Sequence, residues 1–183
     1  MRLVVAEKGL LCNVERVDVQ ALPASVTAVS PHGELPVMLD RDLSLHGAGV
    51  IFDYLDERYP HPPFLPADPV SRARTRLAAR RIEMDWYALL PAAGDTGAVI
   101  EQKGLALASA LAESDDVFAA KPYFLGDSYS LLDTMVAPLL WRLAHYGIVL
   151  PENATGVEDY ARRMLARPGF RASLDFRNQE KAE

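Results

Sequence analysis

The sequence predicts a small α/β unit followed by an all-α unit. Three observations carry this. Residues up to about 63 mix short apolar runs, turn clusters and one amphipathic helix, whereas residues from 69 onward read as long helices only. Between them lies Tyr54-Leu55-Asp56-Glu57-Arg58-Tyr59-Pro60-His61-Pro62-Pro63. A helix entering three prolines in four residues must stop, because proline lacks a backbone N–H and clashes with the preceding turn. The expected domains are therefore 1–63 and 69–176.

Composition narrows the function. The 183 residues are 50% hydrophobic and 24% charged, enough for a buried core. The formal net charge of −6 argues against a nucleic-acid footprint, which needs a basic surface. The single cysteine, Cys12, supports neither a disulfide framework nor a zinc site within one chain, and fits a reducing compartment. No apolar run is long enough to span a bilayer, so no membrane role is expected. The first nine residues are too soon charged for a signal peptide, and the chain reads as cytoplasmic.

In the first unit, Met1 to Lys8 reads as the last turns of a helix, with Gly9 as its C-cap. Cys12 to Val19 alternates in part and reads as a strand. Ala21 to Val29 is irregular or a short helix, and Ser30 to Glu34 is a turn cluster. Leu35 to Leu39 is a short strand with Pro36 near its start. Asp40-Arg41-Asp42 turns it back into Leu43–Leu45 as a hairpin. Gly47 to Tyr59 is a helix with Val50, Ile51, Tyr54 and Leu55 inward and Asp53, Glu57 and Arg58 outward.

In the second unit, Asp68 is placed to N-cap a helix whose first residue is Pro69. That helix should run to about Leu90 with Val70, Ala73, Leu77, Met84 and Trp86 inward. A second covers about Val99 to Ala119, weakened by Gly104. Ser130-Leu131-Leu132-Asp133 has capping-box spacing and opens an apolar helix that Gly147 closes. Two further helices follow, about 157–166 and 168–174, and the tail from Arg177 is polar and frayed.

Each polar candidate has an ordinary reading. Cys12 sits at a strand start rather than a helix N-terminus, so it reads as a packed, inert thiol. Arg72, Arg76 and Arg80 recur every four residues, with Arg74 and Arg81 beside them. They form a solvated face answered by Glu83 and Asp85, or else meet an acidic partner or the rim of a contact with a second subunit. His32, His46 and His145 show no ligand spacing, and no metal site is expected. Ser130 and Asp133 are structural caps, and Trp86, Tyr87 and Trp141 are core or interface anchors. No glycine-rich phosphate loop is present, and the sequence implies no cofactor. By itself, Pro60-His61-Pro62-Pro63 reads as an interdomain linker.

Several stretches together resemble the glutathione transferase superfamily. They are Glu34-Leu35-Pro36-Val37-Met38-Leu39, the helix from Gly47 to Leu55, and Phe124-Leu125-Gly126 with Ser130 and Asp133. The resemblance implies a thioredoxin-like N-terminal unit, with Pro36 cis at the start of its strand, and a helical C-terminal unit. It is closer to one branch, the stringent starvation protein A family. The residues that carry this are Tyr54 to Pro63, Arg81-Ile82-Glu83-Met84-Asp85-Trp86-Tyr87 and Ala137-Pro138-Leu139-Leu140-Trp141-Arg142-Leu143. That branch implies no catalytic residues. It implies a homodimer that binds RNA polymerase holoenzyme with its primary sigma factor and acts in stress and stationary-phase transcription. The implied partner-binding residues are Pro60, His61, Pro62 and Pro63 with their neighbours Asp56, Glu57, Arg58 and Tyr59.

Two departures from the wider superfamily matter. Glutathione transferases hold the γ-glutamyl end of glutathione with an acidic residue and a serine where this chain has Gly47 and Ala48. Neither side chain can hydrogen-bond. Superfamily members also begin with a strand and a loop ahead of the first helix, so the N-terminal unit is expected to lack its first strand and to be destabilised or to lean on a partner. The competing expectation is a glutathione transferase or another glutathione-binding enzyme.

Overall fold

The computed structural model describes residues 1–92 and 94–175, which form two compact units. The first comprises Met1–Pro63 together with the helix that begins at Pro168; the second is Phe64–Arg167.

In the first unit, α1 (Arg2–Glu7) ends where the sequence places its end. Gly9 has φ of +63°, its N–H donates to Ala6 O, and the Leu10 N–H donates to Val5 O. That pair of bonds is a Schellman cap, which a residue at positive φ makes possible. The segment expected as a strand, Cys12 to Val19, forms none, and Cys12 is exposed rather than packed. A strand persists only when neighbours take up its backbone groups. The one ladder among the described residues pairs β1 (Val37–Asp40) with β2 (Leu43–His46) as the expected antiparallel hairpin, and does not reach these residues. Ahead of the hairpin comes α2 (Ala24–Val29). The Leu35–Pro36 peptide is cis, as the resemblance implies.

The helix α3 (Ala48–Arg58) follows the hairpin and buries Ile51, Phe52 and Leu55. Val50, expected inward, is 56% exposed, and Phe52 takes the inward place. Tyr54 donates its hydroxyl proton to Asp40 at the end of β1 (2.7 Å), which ties helix to hairpin. The C-terminal helix, α9 (Pro168–Leu174), which the sequence groups with the second domain, packs on α1. A Cβ on Gly169 would stand 2.5 Å from the Glu7 carboxyl carbon, so a side chain there would have to displace Glu7.

The second unit opens with α4 (Pro69–Asp85). Asp68 caps it by accepting from the Ser71 N–H at 2.7 Å. The helix stops at Trp86, short of Leu90, and a single 3₁₀ turn follows over Tyr87–Leu89. Its buried residues are Ala79, Ile82 and Trp86, whereas Val70, Leu77 and Met84 are 58%, 64% and 60% exposed. Of the five residues expected inward, only Trp86 is. Apolar periodicity identifies a face but not the neighbour that face meets.

Next come α5 (Gly97–Glu113) and α6 (Asp115–Ala120), a pair the sequence reads as one helix. The split falls at Ser114, whose hydroxyl bonds back to Ala110 O at 2.9 Å, a side-chain competitor for the backbone ladder. Then follow α7 (Leu131–Leu143) and α8 (Thr155–Leu165). The polar tail from Arg177 lies outside the described residues.

Asp133 holds this unit together. It is fully buried and accepts from four donors on three segments. These are Phe124 N–H (2.9 Å), Tyr160 O–H (2.7 Å), Ser130 N–H (2.8 Å) and Ser130 O–H (3.2 Å). The Ser130 oxygen in turn accepts from Leu132 N–H, completing the expected capping box. Around it Trp86, Phe118, Phe124 and Tyr160 cluster, with Phe118 centred 4.9 Å from Phe124 and 5.2 Å from Tyr160. Burial pushes the Asp133 carboxyl up, while its donors pull the other way. Burial also pushes the Tyr87 phenol up to about 12, so it stays protonated and donates to Met135 O at 2.8 Å.

Two predictions follow from this packing. Asp133→Ala strands several buried donors and removes a cap, and should cost roughly 3 kcal/mol of unfolding free energy in a urea titration. Tyr160→Phe, which loses one bond of the set, should cost about 1–2 kcal/mol. The second concerns acid. Ser71 holds the Asp68 carboxyl below its ordinary range, and Lys103 does the same for Asp95 (2.8 Å). A carboxyl depressed in the folded state adds stability above its ordinary pKa and loses it as the pH falls through the folded value. Stability should therefore decline below the ordinary aspartate range, and Asp68→Asn should flatten that part of the pH profile.

Candidate functional site

The candidate site is the stretch where α3 ends. Tyr59 is the helix C-cap, its N–H donating to Leu55 O, and Pro60, His61, Pro62 and Pro63 all follow it exposed to solvent. The His61–Pro62 peptide is cis. Glu57 and Arg58 are exposed as expected, and the Arg58 guanidinium lies 5.8 Å from the centre of the Tyr59 ring. Asp56 is different, since its side chain is only 11% exposed and faces inward to Lys8. Seven of the eight expected partner-binding residues thus lie on one continuous surface segment or at its edge, and Asp56 lies beneath it.

Sequence reasoning missed Lys8. Its side chain is fully buried and its ammonium donates to Asp56 Oδ1 (2.8 Å), Tyr59 O (2.6 Å) and Pro62 O (2.9 Å). These partners lie about fifty residues away in the chain, and a lysine ending a helix is commonplace, so only the Gly9 cap hinted that Lys8 occupies a fixed place.

The start of α3, where glutathione transferases place polar side chains, is arranged otherwise. Gly47 has φ of +84°, makes no side-chain cap and donates its N–H to Pro36 O at 3.1 Å. A Cβ there would stand 2.8 Å from Glu34 Oε1. Glu34 itself meets His46 Nδ1 at 3.1 Å on the surface. Among the described residues no group of three or more His, Cys, Asp or Glu side chains could hold a metal ion. Nor is any described helix long and apolar enough to cross a membrane.

The arginines of α4 divide by role. Arg72 turns back to the linker, donating from Nε to Pro66 O at 3.0 Å, and Arg80 pairs with Glu83 at 3.1 Å. Arg74 and Arg81 stand exposed alongside the line of Val70, Leu77 and Met84.

Comparison with known proteins fits this architecture. Residues 1–63 match the family described as the glutathione S-transferase N-terminal domain, and residues 97–163 match its C-terminal domain. A glutathione transferase structure from Methylococcus capsulatus superposes with a TM-score of 0.81 over 94% of this chain and 90% of that one, at 23% identity. The fold is that of the glutathione transferases.

Within that fold the chain belongs to the stringent starvation protein A family. It is 40% identical to the stringent starvation protein A homolog of Coxiella burnetii, covering 100% of this chain and 88% of that protein. The homolog of Haemophilus influenzae is 39% identical over 95% of this chain and 83% of its own.

Proposed function

We propose that this chain is a non-catalytic, cytoplasmic regulator of stress and stationary-phase transcription. It binds RNA polymerase holoenzyme carrying the primary sigma factor. The contact surface is Pro60, His61, Pro62 and Pro63, with Glu57, Arg58 and Tyr59 at its edge and Asp56 beneath. The observation that carries this reading is membership of the stringent starvation protein A family over the full chain, joined to the exposure of the whole proline run. Proline rings present apolar area with little conformational freedom left to lose on binding. His61 adds a ring that can both donate and accept a hydrogen bond.

Gly47 and Ala48 support the non-catalytic reading. Hydrogen bonds to charged groups contribute roughly 1.5–3 kcal/mol each. A glutathione molecule would lose two such side-chain partners at the start of α3. The rival reading, a glutathione transferase, rests on the shared fold, and robust conjugation of glutathione to a generic electrophile would favour it.

The active form is a homodimer formed through α4. Val70, Leu77 and Met84 recur every seven residues along one side of the helix, opposite the buried Ala79 and Ile82. Three large exposed apolar side chains in a line fit a second copy, with Arg74 and Arg81 as its polar rim.

Two measurements test these statements. Pro60→Ala with His61→Ala should abolish capture of purified holoenzyme while leaving the far-ultraviolet circular dichroism unchanged, and wild-type capture by this variant would remove the site assignment. Leu77→Glu with Met84→Glu should turn a dimer into a monomer in light scattering, and a dimer that persists would place the subunit contact elsewhere.

A further inference from the structure

We propose that Lys8 is the positioning residue of the interaction surface, and that its buried ammonium fixes the proline run in its binding conformation; this rests on the reading that Pro60–Pro63 meets RNA polymerase holoenzyme.

The argument begins with donors. Pro60, Pro62 and Pro63 have no backbone N–H, so within the run only His61 can supply one. Such a segment has almost no means of tying down its own carbonyls. The problem is sharpest where the run leaves α3, because the last carbonyls of a helix have no partner within it. Lys8 meets this need from outside. Its Nζ reaches Tyr59 O, at the cap of α3, and Pro62 O, three residues further on. It also reaches the Asp56 carboxylate one turn back in the helix. A single nitrogen therefore joins the last turn of α3 to the middle of the exposed run.

The residue type matters. Three oxygens converge on one atom at 2.6–2.9 Å, which suits the three donors of an ammonium. A guanidinium spreads its donors across a plane and cannot offer them from one point. The buried charge is balanced by Asp56, so the ion pair and the two carbonyl bonds stand or fall together.

Lys8 is itself held in place. It sits at the C-cap of α1, and the Gly9 Schellman bonds fix where that helix ends. Leu3 and Val4 are buried, and α1 packs on α9. The surface of the run is thus continuous, through Lys8, with the packed interior of the first unit.

The test is an affinity series against purified holoenzyme containing the primary sigma factor, run well below the unfolding midpoint. The proteins are wild type, Lys8→Met, Lys8→Arg and Pro60→Ala/His61→Ala. Lys8→Met keeps an unbranched apolar stem and deletes the ammonium. It should bind at least tenfold more weakly while its circular dichroism matches wild type, and Lys8→Arg should regain only part of the loss. A purely structural role would instead lower the unfolding midpoint and leave the affinity of the folded molecules at the wild-type value, which overturns the proposal. Full recovery with Lys8→Arg also overturns it, since charge alone would then suffice. Should Lys8→Met fail to fold, Lys8→Arg decides by the same affinity criterion. If wild type itself does not bind, the polymerase reading fails. If wild type binds, Pro60→Ala/His61→Ala does not, and Lys8→Met binds as wild type does, the site stands and the role of Lys8 falls.

Discussion

A charge taken out of water must be met by oriented partners, because leaving it unmet costs several kcal/mol. Each unit of this protein is arranged around one buried ionisable side chain. In the first it is the Lys8 ammonium, met by the Asp56 carboxylate and two main-chain carbonyls. In the second it is the Asp133 carboxyl, met by main-chain and side-chain donors from the loop before α7, the start of α7 and the middle of α8. Both draw together segments far apart in sequence, and both use the backbone as partner. The difference lies in depth. Asp133 is surrounded by aromatic rings and secures a core, whereas Lys8 lies beneath an exposed segment and secures a surface.

That difference bears on how much was legible in the sequence. Elements with local causes were. Gly9 ends α1, Asp68 and Pro69 start α4, Ser130 and Asp133 cap α7, and Asp40-Arg41-Asp42 turns the hairpin, each through bonds spanning a few residues. Elements with non-local causes were not. The alternation from Cys12 to Val19 suits a strand, yet pairing is a property of neighbours and none among the described residues reaches it. The two faces of α4 are both apolar in part, and sequence alone does not say which meets the unit's own core. Half of Asp133's role was visible as a capping box, while its bonds to Phe124 and Tyr160 were not.

The candidate site divides in the same way. Its surface was readable, because three prolines in four residues must be rigid and break a helix wherever they occur. Its support was not, because Lys8 precedes Asp56 by 48 positions and Pro62 by 54. Resemblance to a family located the surface segment, together with Asp56 beneath it. Only the coordinates reveal what holds that segment from below.

Rigidity is what makes such a surface useful. A flexible loop loses backbone and side-chain freedom when it binds, at about 1–2 kcal/mol per residue ordered. Proline loses less, since its φ is fixed before binding. Fixed φ and the extended ψ imposed on a residue before proline still leave a range of ψ, however, and rotation within it would swing the whole run. Anchoring Tyr59 O and Pro62 O to a common point restrains the rotation that the rings themselves do not. Proline supplies stiffness within each residue and Lys8 supplies it between residues. A surface stiff in both senses presents the His61 ring in a restricted set of directions, and on the proposed reading the affinity of the folded chain depends on a residue buried beneath the contact surface.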